Sequence, residues 1–113
     1  MIRGPAVLVA ALAAAAPACA APEVIGITFR CERGVEIPVT FVIAADGSVA
    51  VLTVEGRQIA LPQAVSGSGA RYAWPSDGSG YVFWTKGDEA TLSWADGATS
   101  QEVTLYGACR VAG

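Results

Sequence analysis

After its first two dozen residues this chain places an apolar side chain at almost every second position, and that period admits few folds. The clearest run is residues 35–43, where Val35, Ile37, Val39, Phe41 and Ile43 form one face against Glu36, Pro38, Thr40 and Val42. Successive side chains of a strand point to opposite sides, so such a run buries one face and solvates the other. Arg33-Gly34 turns into this strand and Asp46-Gly47 turns out of it. Pro38 has no N–H to give to a ladder, which predicts an edge strand or a bulge at that point.

Further strands are predicted before Cys31 and over residues 49–55, 58–61, 70–74, 81–85, 90–94 and 101–106, about eight in all. They are separated by Gly56, Ser66 to Gly69, Asp77 to Gly80, Lys86-Gly87-Asp88 and Asp96-Gly97. No stretch sustains a helical period, and no repeat or long linker divides the chain. The reading is all-β, a single antiparallel barrel or sandwich of short strands.

The first twenty residues read as targeting rather than fold. Arg3 precedes a run from Ala6 to Ala16 made only of Ala, Val and Leu, the layout of a secretory signal peptide, and the segment is too short to span a membrane. Residues 1–20 are therefore assigned to the leader and 21–113 to one domain. Without Arg3, six basic side chains face ten acidic ones, leaving a net charge of −4. That sign argues against nucleic acid and suits a basic partner.

Export makes a disulfide the default for two of the three cysteines. Ile25, Ile27, Phe29 and Cys31 share one face by alternation, as do Val103, Leu105 and Cys109, so Cys31 and Cys109 are paired here. That bond links the first strand to the last and favours a small closed barrel over a sandwich. Cys19 has two readings. It is either the lipidated cysteine of an outer-membrane lipoprotein or, within Ala18-Cys19-Ala20, part of an ordinary A-x-A cleavage site. Pro17, two positions before it, favours cleavage and a soluble periplasmic protein.

Two phrases carry the functional reading: Ser68-Gly69-Ala70-Arg71-Tyr72 and Tyr81-Val82-Phe83-Trp84-Thr85-Lys86-Gly87. As patterns they are S-G-x-x-Y and Y-x-x-x-T-K-G. In this order, between Cys31 and Cys109, the chain resembles the periplasmic and membrane-bound inhibitors of C-type lysozyme. The resemblance implies a Gram-negative protein that protects peptidoglycan by filling the lysozyme cleft with two loops, Ser68 facing the catalytic Glu and Lys86 the Asp. It also implies binding roles for Gly69, Gly87, Thr85, Tyr72 and Tyr81. The partner is then a basic C-type lysozyme, with no cofactor and no small-molecule substrate, and the membrane enters only if Cys19 is lipidated.

Physical chemistry asks for the same two side-chain types. Such a lysozyme cleaves with one protonated and one ionised carboxyl group. A plug should bring a neutral hydrogen-bonding group for the first and a cation for the second, as Ser68 and Lys86 do. Gly69 and Gly87 allow tight turns, and Thr85 can bond locally to fix the lysine loop. Tyr72 and Tyr81 have two open roles, packing beneath the loops or touching the enzyme. For Arg71 the sequence favours a solvated strand charge.

Two rival classes compete with this reading. A serine-lysine hydrolase would use Ser68 and Lys86, but the chain has no histidine and Gly67-Ser68-Gly69 lacks a nucleophile-elbow context, so an enzyme is not expected. A small glycan- or ligand-binding barrel would use Trp74, Trp84 and Trp94 as a stacking platform, although core packing is expected for at least two of them. No metal site is legible, because two cysteines are committed to a disulfide and only scattered carboxylates remain.

Overall fold

A computed structural model describes residues 21–74 and 78–112. The leader expectations, Cys19 among them, lie outside these residues. Eight strands follow one another: β1 (Glu23–Arg30), β2 (Glu36–Ile43), β3 (Val49–Val54), β4 (Arg57–Ala64), β5 (Ala70–Ala73), β6 (Gly80–Lys86), β7 (Glu89–Asp96) and β8 (Gln101–Val111). Each pairs antiparallel with the next, and β8 returns to β1, closing the barrel. The up-and-down order follows from the turns. Glu55 and Gly56 both take positive φ, 54° and 76°, which makes the two-residue hairpin between Val54 and Arg57 whose twist matches its strands.

Inward-facing residues fill the barrel. Ile37, Val39 and Phe41 of β2 meet Ala50 and Leu52 of β3, Leu61 of β4, Tyr72 of β5, Phe83 of β6 and Leu92 of β7, all buried. Phe29 packs edge-on against Phe41 and Phe83, with ring centroids 6.4 and 5.4 Å away. The middle of the barrel is a core.

Pro38 sits on no edge strand, because the barrel is closed, yet its missing donor is accommodated all the same. It faces Thr28 of β1, one residue outside the register of β2 with β3, which begins at Val39. Pro62 repeats the device. It faces Val49 of β3 and lies one residue outside the β4–β5 register, which starts at Gln63. Each proline stands where one neighbouring ladder has run out.

The seam between β1 and β8 is thin, with register pairs only at Phe29–Val111 and Arg30–Arg110. The Cys31–Cys109 disulfide closes it, and the Ala112 N–H donates to the Thr28 carbonyl at 2.8 Å. Alternation in β8 departs from the sequence expectation. Between Leu92 and Ser93 of β7 the register shifts by one, leaving Leu105 as the extra residue, and it shifts again between Ala90 and Leu92. Tyr106 takes the place opposite Leu92, while Cys109 returns to the interior opposite Ala90. Val103 faces Trp94 where the β7–β8 hairpin projects beyond the core, and it is exposed.

Candidate functional site

The β4–β5 loop and the β6–β7 hairpin meet over one side chain, Trp84. It lies on the outer face of β6 together with Lys86, two residues on, and is paired across β5 with Arg71. Its indole Nε1–H donates to the Ser68 carbonyl at 2.9 Å, holding the serine loop against the strand. The Lys86 ammonium stands 4.5 Å from the ring centroid, and the Arg71 guanidinium lies 5.6 Å away. Arg71 is also ion-paired with Glu102, which corrects the reading of it as a solvated charge.

Gly69 makes the approach of the two segments possible. Its φ is +65°, and a Cβ there would collide with the Thr85 carbonyl oxygen while lying 2.7 Å from Lys86 Cγ and 3.2 Å from Trp84 Nε1. The loop backbone therefore lies directly on β6. Thr85 Oγ1–H donates to the Ala70 carbonyl at 3.4 Å, a further tie at the base of the lysine hairpin. Ser66 Oγ–H donates to the Ser68 carbonyl, the same oxygen that accepts from Trp84.

What stays uncommitted is the part able to act on a partner. Among the described residues the Ser68 hydroxyl has no hydrogen-bond partner and the Lys86 ammonium has no ion pair. Both residues are exposed. Glu89, opposite Lys86 in register, is turned to Arg110 at 2.9 Å, and the Asp88 carbonyl accepts from the Val111 N–H at 3.0 Å. The hairpin is thus anchored to β8 beside the disulfide. Gly87, with φ +62° and nothing near its Cβ position, is the turn itself.

The remaining sequence candidates separate from this tip. Tyr72 is 3% exposed and packs on Phe41 at 5.5 Å, within the core. Burial pushes its phenol up from the ordinary value. Tyr81 is the second residue of β6, five residues or about 16 Å along an extended strand from Lys86. Its hydroxyl donates to Glu55 at 2.7 Å, and that bond, followed by burial and the Glu55 charge, raises its pKa against the opposing effect of Arg57. The tryptophans overturn the expectation of core packing: Trp84 is half-buried on the outer face, Trp94 is 38% exposed and Trp74 55%. Trp84 was not among the sequence candidates for the tip, and its outward phase was the available signal that it joins the two segments. Among the described residues no group of three metal-ligating side chains occurs.

Comparison with known proteins places this geometry. The family model for membrane-bound lysozyme inhibitors of C-type lysozyme matches residues 29–101. Two curated proteins named membrane-bound lysozyme inhibitor of C-type lysozyme are similar to it. That of Cupriavidus necator is 37% identical over 63% of this chain and 54% of its own length. That of Pseudomonas aeruginosa is 34% identical over 68% of this chain and 60% of its own length. The match thus spans little more than half of these relatives. The solved structure of Pseudomonas aeruginosa MliC in complex with hen egg white lysozyme superposes with a TM-score of 0.63 at 26% identity, covering 93% of this chain and 99% of that one. The Adhesin Complex Protein from Neisseria meningitidis shares the fold, with a TM-score of 0.53 at 14% identity over 78% of this chain and 99% of that one.

Proposed function

Since the chain belongs to the family of membrane-bound lysozyme inhibitors of C-type lysozyme, we propose that it inhibits such an enzyme by seating Ser68 and Lys86 in the catalytic cleft. The observation that carries this reading is the Trp84 clasp, which brings a free hydroxyl and a free ammonium to one exposed tip. The cleft offers one ionised and one protonated carboxyl about 5 Å apart in a retaining enzyme, with an apolar niche around the acid. Lys86 pairs with the ionised group. The Ser68 hydroxyl exchanges a hydrogen bond with the protonated one.

A tip already tied down loses less conformational freedom on docking than a mobile loop. Gly69, Gly87 and Thr85 shape the tip, and Tyr72 supports it from the core. Tyr81, at the far end of β6, plays no part in this contact. In this reading the Ser68 hydroxyl and the Lys86 amine act together as a plug in the cleft. The net charge of −4 on residues 21–113 speeds encounter with a basic enzyme at low salt. The leader carries the domain to the periplasm, where Cys19 is either removed with it or lipidated; the intact mass of the mature protein distinguishes these.

The test is a titration of peptidoglycan hydrolysis by a C-type lysozyme with residues 21–113. Lys86→Ala should weaken inhibition by about 2 to 5 kcal/mol, because a desolvated carboxylate is left unpaired. Ser68→Ala should cost less, about 1 to 3 kcal/mol. Wild-type potency in both variants would defeat the proposal.

A further inference from the structure

The ladder between β4 and β5 is short, and it leaves the end of the barrel away from Lys86 thinly paired among the described residues. β5 has only four residues and pairs with β4 at Gln63 and Ala64 alone, so the first half of β4 has no neighbour on that side among the described residues. Val54 and Arg57 close the two-residue hairpin as a hydrogen-bonded pair, and alternation from there turns the backbone groups of Gln58 and Ala60 toward the gap. Behind this edge lies an open cavity of about 420 Å³, within the ordinary size range of ligand sites at barrel mouths.

Aromatic rings line it. Tyr81 and Trp94 stack edge to face across β6 and β7 with centroids 5.0 Å apart, and the exposed Trp74 borders the same space. Ile59 supplies an apolar wall, and Arg57 and Gln58 stand at the rim. Among the described residues neither the Trp74 nor the Trp94 indole N–H has an acceptor, and Arg57 has no ion pair. Trp74 and Trp94 leave 55% and 38% of their surface exposed, much for such large apolar rings.

We propose that this mouth is a saccharide-binding site, taking a neutral oligosaccharide whose pyranose face stacks on Trp94 and Trp74. Its hydroxyls bond the Gln58 and Ala60 backbone edge, Arg57 and the free indole N–H groups. A pyranose matches such a surface because it has an apolar C–H face bounded by hydroxyls. A wholly apolar ligand would remain wet in a cavity so open, and a polyanionic glycan is disfavoured by the domain's net charge of −4. The site is independent of the Ser68–Lys86 reading, and it would let the domain rest on a glycan strand while its other end stays free.

The experiment titrates residues 21–113 with chitotetraose in the absence of lysozyme, following tryptophan fluorescence and backbone amide NMR. A saturable change is expected, with shifts at Gln58, Ala60 and Gly80 and none at Ser68 or Gly87. Trp94→Ala and Trp74→Ala should each weaken it about tenfold, and Trp74→Ala should leave lysozyme inhibition unchanged. Trp74, being the more exposed, serves where Trp94→Ala fails to fold. No saturable change, shifts confined to the Lys86 end, unaltered affinity in both tryptophan variants, or capture of an extended peptide in place of the saccharide would overturn the proposal.

Discussion

Gly69 and Gly87 hold nearly the same backbone angle, +65° and +62°, but only one of them has a neighbour where a side chain would go. Replacing either by Ala puts an L residue into the left-handed region, at about 1–2 kcal/mol. At Gly87 that is the whole cost, because the space around it is open. At Gly69 the new Cβ also meets the Thr85 carbonyl oxygen, with Lys86 Cγ at 2.7 Å and Trp84 Nε1 at 3.2 Å. Thr85 is held between Ala70 and Ala90 in the sheet, so β6 cannot retreat and the serine loop must lift. Overpacking of this kind adds about 1–3 kcal/mol, which brings Gly69→Ala to about 2–5 kcal/mol. Urea unfolding should separate the two variants, and thermal midpoints should differ by several degrees, since 1 kcal/mol moves a domain of this size by about 4–8 °C. Lifting the loop breaks the Trp84–Ser68 bond, so Gly69→Ala should also lose more lysozyme inhibition than Gly87→Ala. Equal destabilisation by the two substitutions would refute the close contact on which the tip depends.

Other outcomes follow from the same contacts. Trp84→Phe keeps a ring under Lys86 but deletes the donor to the Ser68 carbonyl, so inhibition should weaken by about 0.5–1.5 kcal/mol. Trp84→Leu, which also removes the cation–π surface, should weaken it further in the same titration. Replacing Cys31 and Cys109 by Ser opens a loop of 78 residues and should cost about 4 kcal/mol in denaturant unfolding, first loosening the β1–β8 seam in hydrogen exchange. Tyr72 and Tyr81 both have raised pKa values, so their neutral forms are favoured by the fold. Their contribution is whole below the unfolded tyrosine value of about 10 and is lost as pH climbs through the folded values. Stability measured by urea should therefore fall on the alkaline side, and less steeply in Tyr81→Phe.

How far the sequence carried the reading depends on what alternation can and cannot encode. It assigned β2 well, because Ile37, Val39 and Phe41 each stand opposite a buried partner and no bulge interrupts them. It misplaced Leu105, because an inserted residue in β8 changes the phase without leaving a Gly or Pro to mark it. Pro38 was legible as a lost donor, but whether that means an edge depends on where the β3 register ends, a property of two strands at once. The tip was legible as residue types, since Ser68 and Lys86 lie beside turn glycines, whereas Trp84's part required knowing that the serine loop folds back over β6. The tryptophans show the limit most directly. Period two puts Trp94 on the same face as the buried Leu92, and by that pattern it belongs to the core. A face is buried only as far as the opposite wall extends, however, and β5 stops after four residues. The pattern that correctly names an inward face therefore also leaves an aromatic lining beyond the end of β5, and it is strand length, not periodicity, that turns Trp94 from core into the lining of a cavity.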